Sequence, residues 1–491
     1  MGNQYTFDLR KEPDLGAKLR AFPYQQEAVE FVAERQYAAI FHEQGLGKTK
    51  IALDVILRWL SLKEVDTVIV FTKKSLIANW QREIKNHSHL SPLVLSEHSN
   101  KNYYVFTTPT RLVLAHYEVA KKEERRLAAW LGSRRAAVII DEAAKIKNPA
   151  AQLTQAFFRL ASRFRKRVIM TGTPVANRPY DVWAPIFFLD QGKTLGTNFS
   201  QFKRETDLTR NLHSDPAAYA AYQQNLERVH QKLTHISVRE TKNGGRISLP
   251  AKEYNRIECV WEVQQHDLYS QVRNELRAVV LRNGKLIEDD QEVILKRLLR
   301  LVQIASNPLL VDESYKKEPG KFQPLYDLVT DICRGNEKAI VWTAFNANSE
   351  WLAKRLGAFG AHALNGRMPI DRRNAVVSWF IDNDQDRILV ATPGAAKEGL
   401  TLTVANHVIF YDRSYSLDDY LQAQDRIHRV SQTRTCYVYN LIMQDSVDEW
   451  IDSLLEEKRL AAQLTQGDID ARMYADRATL SFFDIIQRIL A

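Results

Sequence analysis

Short, wholly apolar runs recur along the chain, each followed by a loop and then by apolar residues at helical spacing. The first is Tyr37-Ala38-Ala39-Ile40-Phe41. Beyond it Ile51, Val55, Ile56, Trp59 and Leu60 mark one face of a helix. Further runs lie at 67–71, 136–140 and 168–170, and 105–108 reads as another strand. Unbroken apolar runs are the mark of parallel strands covered on both faces. Phe22-Pro23-Tyr24-Gln25 opens a helix expected to end near Arg35. Residues 190–320 carry more helical spacing and less strand signal, with an amphipathic helix at 292–304. A second series of strands follows at 339–342, 387–390 and 407–411, with a helix at 349–356 and, after Asp445-Ser446-Val447-Asp448-Glu449, helical spacing through Leu460. The pattern predicts an α/β chain of two tandem parallel-sheet lobes with helical insertions.

Chemistry enters at Glu43-Gln44-Gly45-Leu46-Gly47-Lys48-Thr49, between the first strand and its helix. Glycines there let backbone N–H groups close around phosphate oxygens, and the helix N-terminus adds partial positive charge. Lys48 is expected to reach the β and γ phosphates, and the Thr49 hydroxyl to hold Mg²⁺. The strict phosphate-loop pattern fails at its first position, where His42 stands. Upstream, the amide of Gln25 can read an adenine edge, or simply lie on the surface.

The run at 136–140 delivers Asp141-Glu142 to the carboxyl end of a strand, where open α/β sheets bind ligands. Asp141 is expected to hold Mg²⁺ through water, and Glu142 to polarise the attacking water as general base. Alone, the pair reads equally as a helix N-cap. Thr171-Gly172-Thr173-Pro174 follows the next strand and is either a γ-phosphate sensor or a turn. In the second lobe, Gly399-Leu400-Thr401-Leu402 lies between two strands. In Gln422-Ala423-Gln424-Asp425-Arg426-Ile427-His428-Arg429-Val430-Ser431-Gln432, a continuous helix would put Gln422, Arg426 and Arg429 on one face. Two arginines so placed can grip a triphosphate, Arg429 as the finger with Arg426 as its partner and Gln432 in support.

Composition narrows the class. The chain has 491 residues, too many for one core, so two or three domains are expected. Hydrophobic content is 45% and charged content 26%, as in soluble globular proteins. The sequence shows no signal-peptide pattern and no run long enough to span a bilayer. Cys259, Cys333 and Cys436 are too scattered for a disulfide framework or a zinc site, so a reducing compartment is expected: the cytoplasm, or the nucleus of a eukaryote. A net charge of +9 favours a polyanionic partner.

These motifs together resemble the Swi/Snf type of superfamily 2 nucleic-acid motors, in a small form without accessory reader domains. That family shows D-E-M-G-L-G-K-T, matched by Glu43 and residues 45–49. Its D-E-x-H-x-x-K-N is matched by Asp141, Glu142, Lys147 and Asn148, and its T-G-T-P-x-x-N by Thr171, Gly172, Thr173, Pro174 and Asn177. Trp183 follows in place. Its Q-A-x-D-R-x-H-R-x-x-Q is matched at every fixed position from Gln422 to Gln432. Leu249-Pro250-Ala251-Lys252, with Gln265 and Tyr269, fits L-P-x-K, and Asn307-Pro308 stands for H-P-x-L. His42 and Gln44 depart in the phosphate loop, Thr72 replaces a usual proline, and Ala144 replaces the histidine that normally links the nucleotide site to the glycine-threonine strand.

The resemblance implies two RecA-like lobes and a double-stranded or branched DNA partner. It implies an ATP- and Mg²⁺-dependent DNA translocase working as a monomer, with a role in fork or branch remodelling. ATP would be held by Gln25, Glu43, Gly45, Gly47, Lys48, Thr49, Gln422 and Gln432, and Mg²⁺ by Thr49 and Asp141. Catalysis would fall to Lys48, Asp141, Glu142, Arg426 and Arg429. The expected division is an ATP-binding lobe at 1–190 and its helical insertion at 191–245. A linker and second insertion follow at 246–320, the second lobe at 321–455, and a helical extension at 456–491. Asn243-Gly244-Gly245 is the expected hinge. A strand-separating helicase on DNA or RNA, and an ATP-gated clamp with weak turnover, are the alternatives.

Overall fold

A computed structural model describes residue 9 and residues 11–490, apart from 176–177, 208–215, 243–245, 247–248, 283–284, 287–290, 397–401, 430 and 478–481. The expected hinge at 243–245, Asn177, and Gly399, Leu400 and Thr401 lie outside the described residues. The chain divides into two compact units. One holds 1–207, 223–247 and 464–468, and the other 208–222, 248–463 and 469–491.

The first unit is built on β1 (Tyr37–Ile40), β2 (Thr67–Thr72), β3 (Leu93–Leu95), β4 (Leu112–His116), β5 (Ala136–Asp141), β6 (Lys166–Met170) and β7 (Ser237–Val238). They form one parallel sheet in the order β3-β4-β2-β5-β6-β1-β7. Every residue of β2 is buried, as its unbroken apolar run requires. The helix Lys48–Ser61 packs Ile51, Val55, Ile56 and Trp59 into the core on one face of this sheet. The Trp59 indole donates to the carbonyl of Ala33, 3.1 Å away, so the ring is buried without an orphaned N–H.

The second unit contains β8 (Lys252–Cys259), a two-stranded antiparallel ribbon of β9 (Leu281–Arg282) and β10 (Lys285–Leu286), then β11 (Ala339–Trp342), β12 (Ala361–Leu364), β13 (Ile388–Ala391), β14 (His407–Phe410) and β15 (Cys436–Met443). Its parallel sheet runs β12-β13-β11-β14-β15-β8. Separate apolar clusters cover its two faces, one including Leu298, Leu301 and Val302 of the helix Gln291–Ser306. The fold class is as expected: two α/β units, each a parallel sheet with helices.

Three local expectations are corrected. The stretch 105–108 is not a strand, because residues through Thr107 belong to the helix Ser99–Thr107. Tyr103 and Tyr104 are exposed while Asn102 and Val105 are buried, a spacing of three that suits a helix lying on its neighbour. The strand there is β4, five residues further on and wholly buried. Residues 252–259 are not linker: β8 pairs with β15 along its whole length, from Lys252↔Cys436 to Cys259↔Met443. The third correction concerns the arginine segment and is described with the site.

Candidate functional site

The loop between β1 and the helix Lys48–Ser61 is fixed by its backbone. Gly45 (φ +85°) and Gly47 (φ +75°) occupy the left-handed region, which only glycine enters freely. A Cβ on Gly47 would meet the Gln25 Nε2 at 2.2 Å. Gln25 is buried and braces the loop: its amide donates to the Leu46 carbonyl at 3.3 Å, and its own carbonyl accepts from Phe22 N at 3.0 Å. Tyr24 donates to the same Leu46 carbonyl at 3.1 Å. Glu43 accepts from Lys242 N at 2.8 Å. Lys48 Nζ donates to the carbonyls of His42 (2.9 Å) and Glu43 (3.1 Å), which places its charge over the loop. His42 is buried, and burial, with the Lys48 charge second, pushes its pKa down to about 4. A neutral ring therefore stands where the family has an aspartate.

Asp141 and Glu142 end β5, beside the end of β6. The Asp141 Oδ2 accepts two hydrogen bonds, from Trp80 Nε1 at 2.8 Å and from Thr72 Oγ1 at 3.1 Å. Thr72 closes the neighbouring β2, and Trp80 lies buried in the helix Ile77–His87. The carboxylate is thus oriented through one oxygen, with Oδ1 taking no hydrogen bond among the described residues. Glu142 is left-handed (φ 61°, ψ 55°), which costs a non-glycine residue roughly 1–2 kcal/mol. Its carbonyl accepts from Lys145 N (3.0 Å) to start the 3-10 turn Ala143–Ile146. The Tyr117 hydroxyl donates to the carbonyls of both Asp141 and Glu142, the latter at 3.0 Å. The Glu142 carboxylate lies 3.5 Å from Thr171 Oγ1, at the end of β6.

Thr171 Oγ1 in turn accepts from Thr173 N at 3.2 Å. A Cβ on Gly172 would come within 2.9–3.0 Å of the Gln44 side chain, so Gln44 of the phosphate loop rests against the glycine-threonine strand. Ala144 has no polar side chain to offer that strand. Lys147 pairs with Asp181 at 2.9 Å, and Trp183 is buried at the start of the helix Trp183–Asp190.

In the second unit the helix Leu417–Gln424 stops before the arginines, so the expected single helical face does not exist. The Arg426 carbonyl accepts from Leu402 N at 3.0 Å instead of continuing the helix. Gln432 holds the turn: its amide donates to the carbonyls of Thr403, Ala405 and Ile427, and its carbonyl accepts from the backbone N of 433 and 434. Gln422 donates to Asp418 at 2.7 Å. Arg429 Nε donates to the Asp425 carbonyl at 2.9 Å. Burial, and then the neighbouring Arg426 charge, push the Arg429 pKa down to about 10. Two cations this close in a poorly solvated turn are favourable surroundings for an anion.

The expected residues thus fall into two groups. Gln25, Glu43, Gly45, Gly47, Lys48, Thr49, Asp141 and Glu142 gather at the carboxyl ends of β1 and β5, whereas in the second unit Gln422 lies in the last turn of the helix Leu417–Gln424 and Arg426, Arg429 and Gln432 in the segment that follows it. The sequence reading gave no role to Trp80, Thr72 or Tyr117. Trp80 sits on the helix Ile77–His87, and Tyr117 follows β4, the strand that was not anticipated.

A Mg²⁺ ion takes hard oxygen ligands, keeps several waters and binds through one or two carboxylates plus phosphates. The Thr49 hydroxyl and the free oxygen of Asp141 suit that donor set. No group of three or more His, Cys, Asp or Glu residues able to cage a metal occurs among the described residues. Nor does any helix long and apolar enough to cross a membrane.

The SNF2-related domain family matches residues 24–310, and the helicase conserved C-terminal domain matches 320–431. Among curated proteins, the chain is 25% identical to the one named ATP-dependent helicase/translocase YwqA of Bacillus subtilis, over 91% of this chain and 49% of that protein. It is 23% identical to the DNA annealing helicase and endonuclease ZRANB3 of Bos taurus, over 96% of this chain and 43% of that protein. A solved SWI2/SNF2 ATPase core of Sulfolobus solfataricus in complex with double-stranded DNA matches at 23% identity and a TM-score of 0.41, over 94% of this chain and 96% of that one. The chain spans about half or less of the length of these curated relatives. With more than half of its length matched by the first of these families and the helicase C-terminal domain following in order, the chain belongs to the SNF2-related family.

Proposed function

We propose that this chain is an ATP-dependent translocase on double-stranded DNA, acting on forked or branched DNA in repair or recombination. The observation that carries the proposal is the convergence, at the carboxyl ends of β1 and β5, which flank β6 in one sheet, of a glycine loop carrying Lys48 with the oriented pair Asp141-Glu142. Backbone N–H groups of 45–49 and Lys48 bind the triphosphate. The Thr49 hydroxyl and the Asp141 carboxylate are the residues to hold Mg²⁺, which would offset charge on the β and γ phosphates. Glu142 draws a proton from the attacking water as its oxygen bonds to the γ-phosphorus. The bond from that phosphorus to the β-γ bridging oxygen breaks, and ADP leaves with the electron pair. Arg426 and Arg429 stabilise charge on the transferred phosphoryl oxygens. Thr171 touches the base and reports loss of the γ-phosphate along the end of β6.

Family membership supports ATP as the fuel, and the relatives' names support nucleic acid as the track. The net charge of +9 fits a polyanion. The test is phosphate release with linear duplex, single strand, fork, four-way junction and RNA. Stimulation by duplex or branched DNA, abolished by Lys48→Ala and by Glu142→Gln, together with displacement of a triplex strand, is the expected result. Unwinding of simple duplex would replace this reading with a strand-separating helicase. Ala144, which offers no polar link to Thr171, favours one other reading, an ATP-gated clamp. Tight ATP-dependent DNA binding without turnover would establish it.

A further inference from the structure

Tyr117 is 3% exposed, and its ring belongs to an aromatic cluster. It meets Phe157 edge-on at 6.0 Å, and Phe157 meets Phe71 and Phe188 in the same way. A phenylalanine would fill that space equally well. The hydroxyl therefore needs another explanation, since burying one without partners is unfavourable. Its acceptors are two consecutive backbone carbonyls, those of Asp141 and Glu142. Successive carbonyls of an extended strand point to opposite sides. One hydroxyl reaches both here because Glu142 has turned into the left-handed region.

We infer that Tyr117 is a positioning residue for hydrolysis: its phenol, bridging the carbonyls of Asp141 and Glu142, holds the turn that aims the Glu142 carboxylate. The inference rests on the reading of Glu142 as the general base. The local surroundings support it. The carboxylate lies 3.5 Å from Thr171, at the outer limit of a hydrogen bond. Ala144 supplies no imidazole at the position where the family carries one. Tyr117 holds the backbone of Glu142 from the residue position that follows β4. Burial, with the Asp141 and Glu142 charges second, pushes the Tyr117 pKa well above the ordinary phenol value, so the hydroxyl stays a donor at working pH.

The test is a double-mutant comparison of Tyr117→Phe and Glu142→Gln in the full chain. The readouts are ATP turnover at saturating and limiting ATP, affinity for a fluorescent ATP analogue, and melting temperature. Tyr117→Phe is expected to lower kcat about tenfold or more, with KM and analogue affinity changed less than about twofold. In the Glu142→Gln background the same substitution should add almost nothing, because the group it aims is already gone. Phe157→Leu, which loosens the same cluster without touching either carbonyl, should lower the melting temperature and leave kcat in place.

Wild-type kcat in Tyr117→Phe overturns the inference, as does a loss that multiplies in full with that of Glu142→Gln. If Phe157→Leu lowers kcat as much as Tyr117→Phe, packing is the cause and the inference also fails. Should Tyr117→Phe not fold, 3-fluorotyrosine at 117 replaces it. Its stronger donor must shift kcat without KM, and an unchanged kcat is again fatal. A Glu142→Gln protein that hydrolyses ATP at the wild-type rate would instead overturn the assignment of the base.

Discussion

The indole Nε1 of Trp80 lies 2.8 Å from Oδ2 of Asp141 and shares that oxygen with the hydroxyl of Thr72. Both donors are buried, and they belong to elements adjoining the strand that carries the aspartate. Side chains that orient a metal-binding carboxylate typically matter 10–100-fold in affinity or activity. Trp80→Phe keeps the ring and removes the donor. The concentration of Mg²⁺ needed for half-maximal hydrolysis should then rise about tenfold, with little change in the amount of folded protein. A Mg²⁺ titration of the ATPase rate reads this directly, and an unchanged midpoint contradicts it.

Gln44 and Gly172 lie against each other, one in the phosphate loop and the other after β6. Gly172→Ala would drive its methyl into the Gln44 side chain, a flexible group that can move aside. The substitution should therefore cost little stability yet lower turnover. Gln44→Ala should lower turnover by a similar factor, since each change breaks the same contact. Combining the two should be no worse than either alone, because residues in contact do not act independently. Fully additive losses in the hydrolysis rate would show that the contact is incidental.

The arginine turn yields a sharper loss. Burial, with the Arg426 charge second, pushes the Arg429 pKa down, yet at about 10 it remains charged at neutral pH. Arg429→Ala should reduce kcat by about 10³-fold. Arg429→Lys should recover little, because an ammonium lacks the planar fork that meets two phosphoryl oxygens. Fluorescent-nucleotide binding separates this from lost affinity: binding should persist in both variants. Near-complete rescue by lysine would mean the position supplies charge alone.

Much of this was legible in the chain because strong local patterns coincide with tertiary need. The buried strand β2 had to be apolar throughout, and the phosphate loop had to place glycines where φ is positive. What escaped reading was decided by neighbours distant in sequence. The strand β8 alternates weakly because it lies at the edge of its sheet, with half its side chains in water. Tyr103-Tyr104-Val105-Phe106 is β-prone by residue type, yet becomes helix because Asn102 and Val105 share the buried face. The motif from Gln422 to Gln432 suggested one continuous helix, whereas the helix ends at Gln424 and a turn follows. Gln432 folds the segment into a turn through acceptors contributed by residues 403 and 405. The roles of Trp80 and Tyr117 depend on strand order, which motif spacing does not encode.

His42 makes stability depend on acid in a defined window. Its pKa is about 4 in the folded chain against 6.5 for the ordinary side chain. Between those values the unfolded chain binds more protons than the folded one, so stability rises with pH. The contribution is complete above 6.5 and is lost as pH falls through 4. The loss is bounded at about 3 kcal/mol from this one residue. His42→Gln cannot take up the proton. Urea unfolding at steps from pH 7.5 to 4.5 should show the wild type losing stability faster than the variant below pH 6.5. Parallel curves would mean that the imidazole accepts its proton without resistance, which a buried ring beside the Lys48 ammonium should not allow.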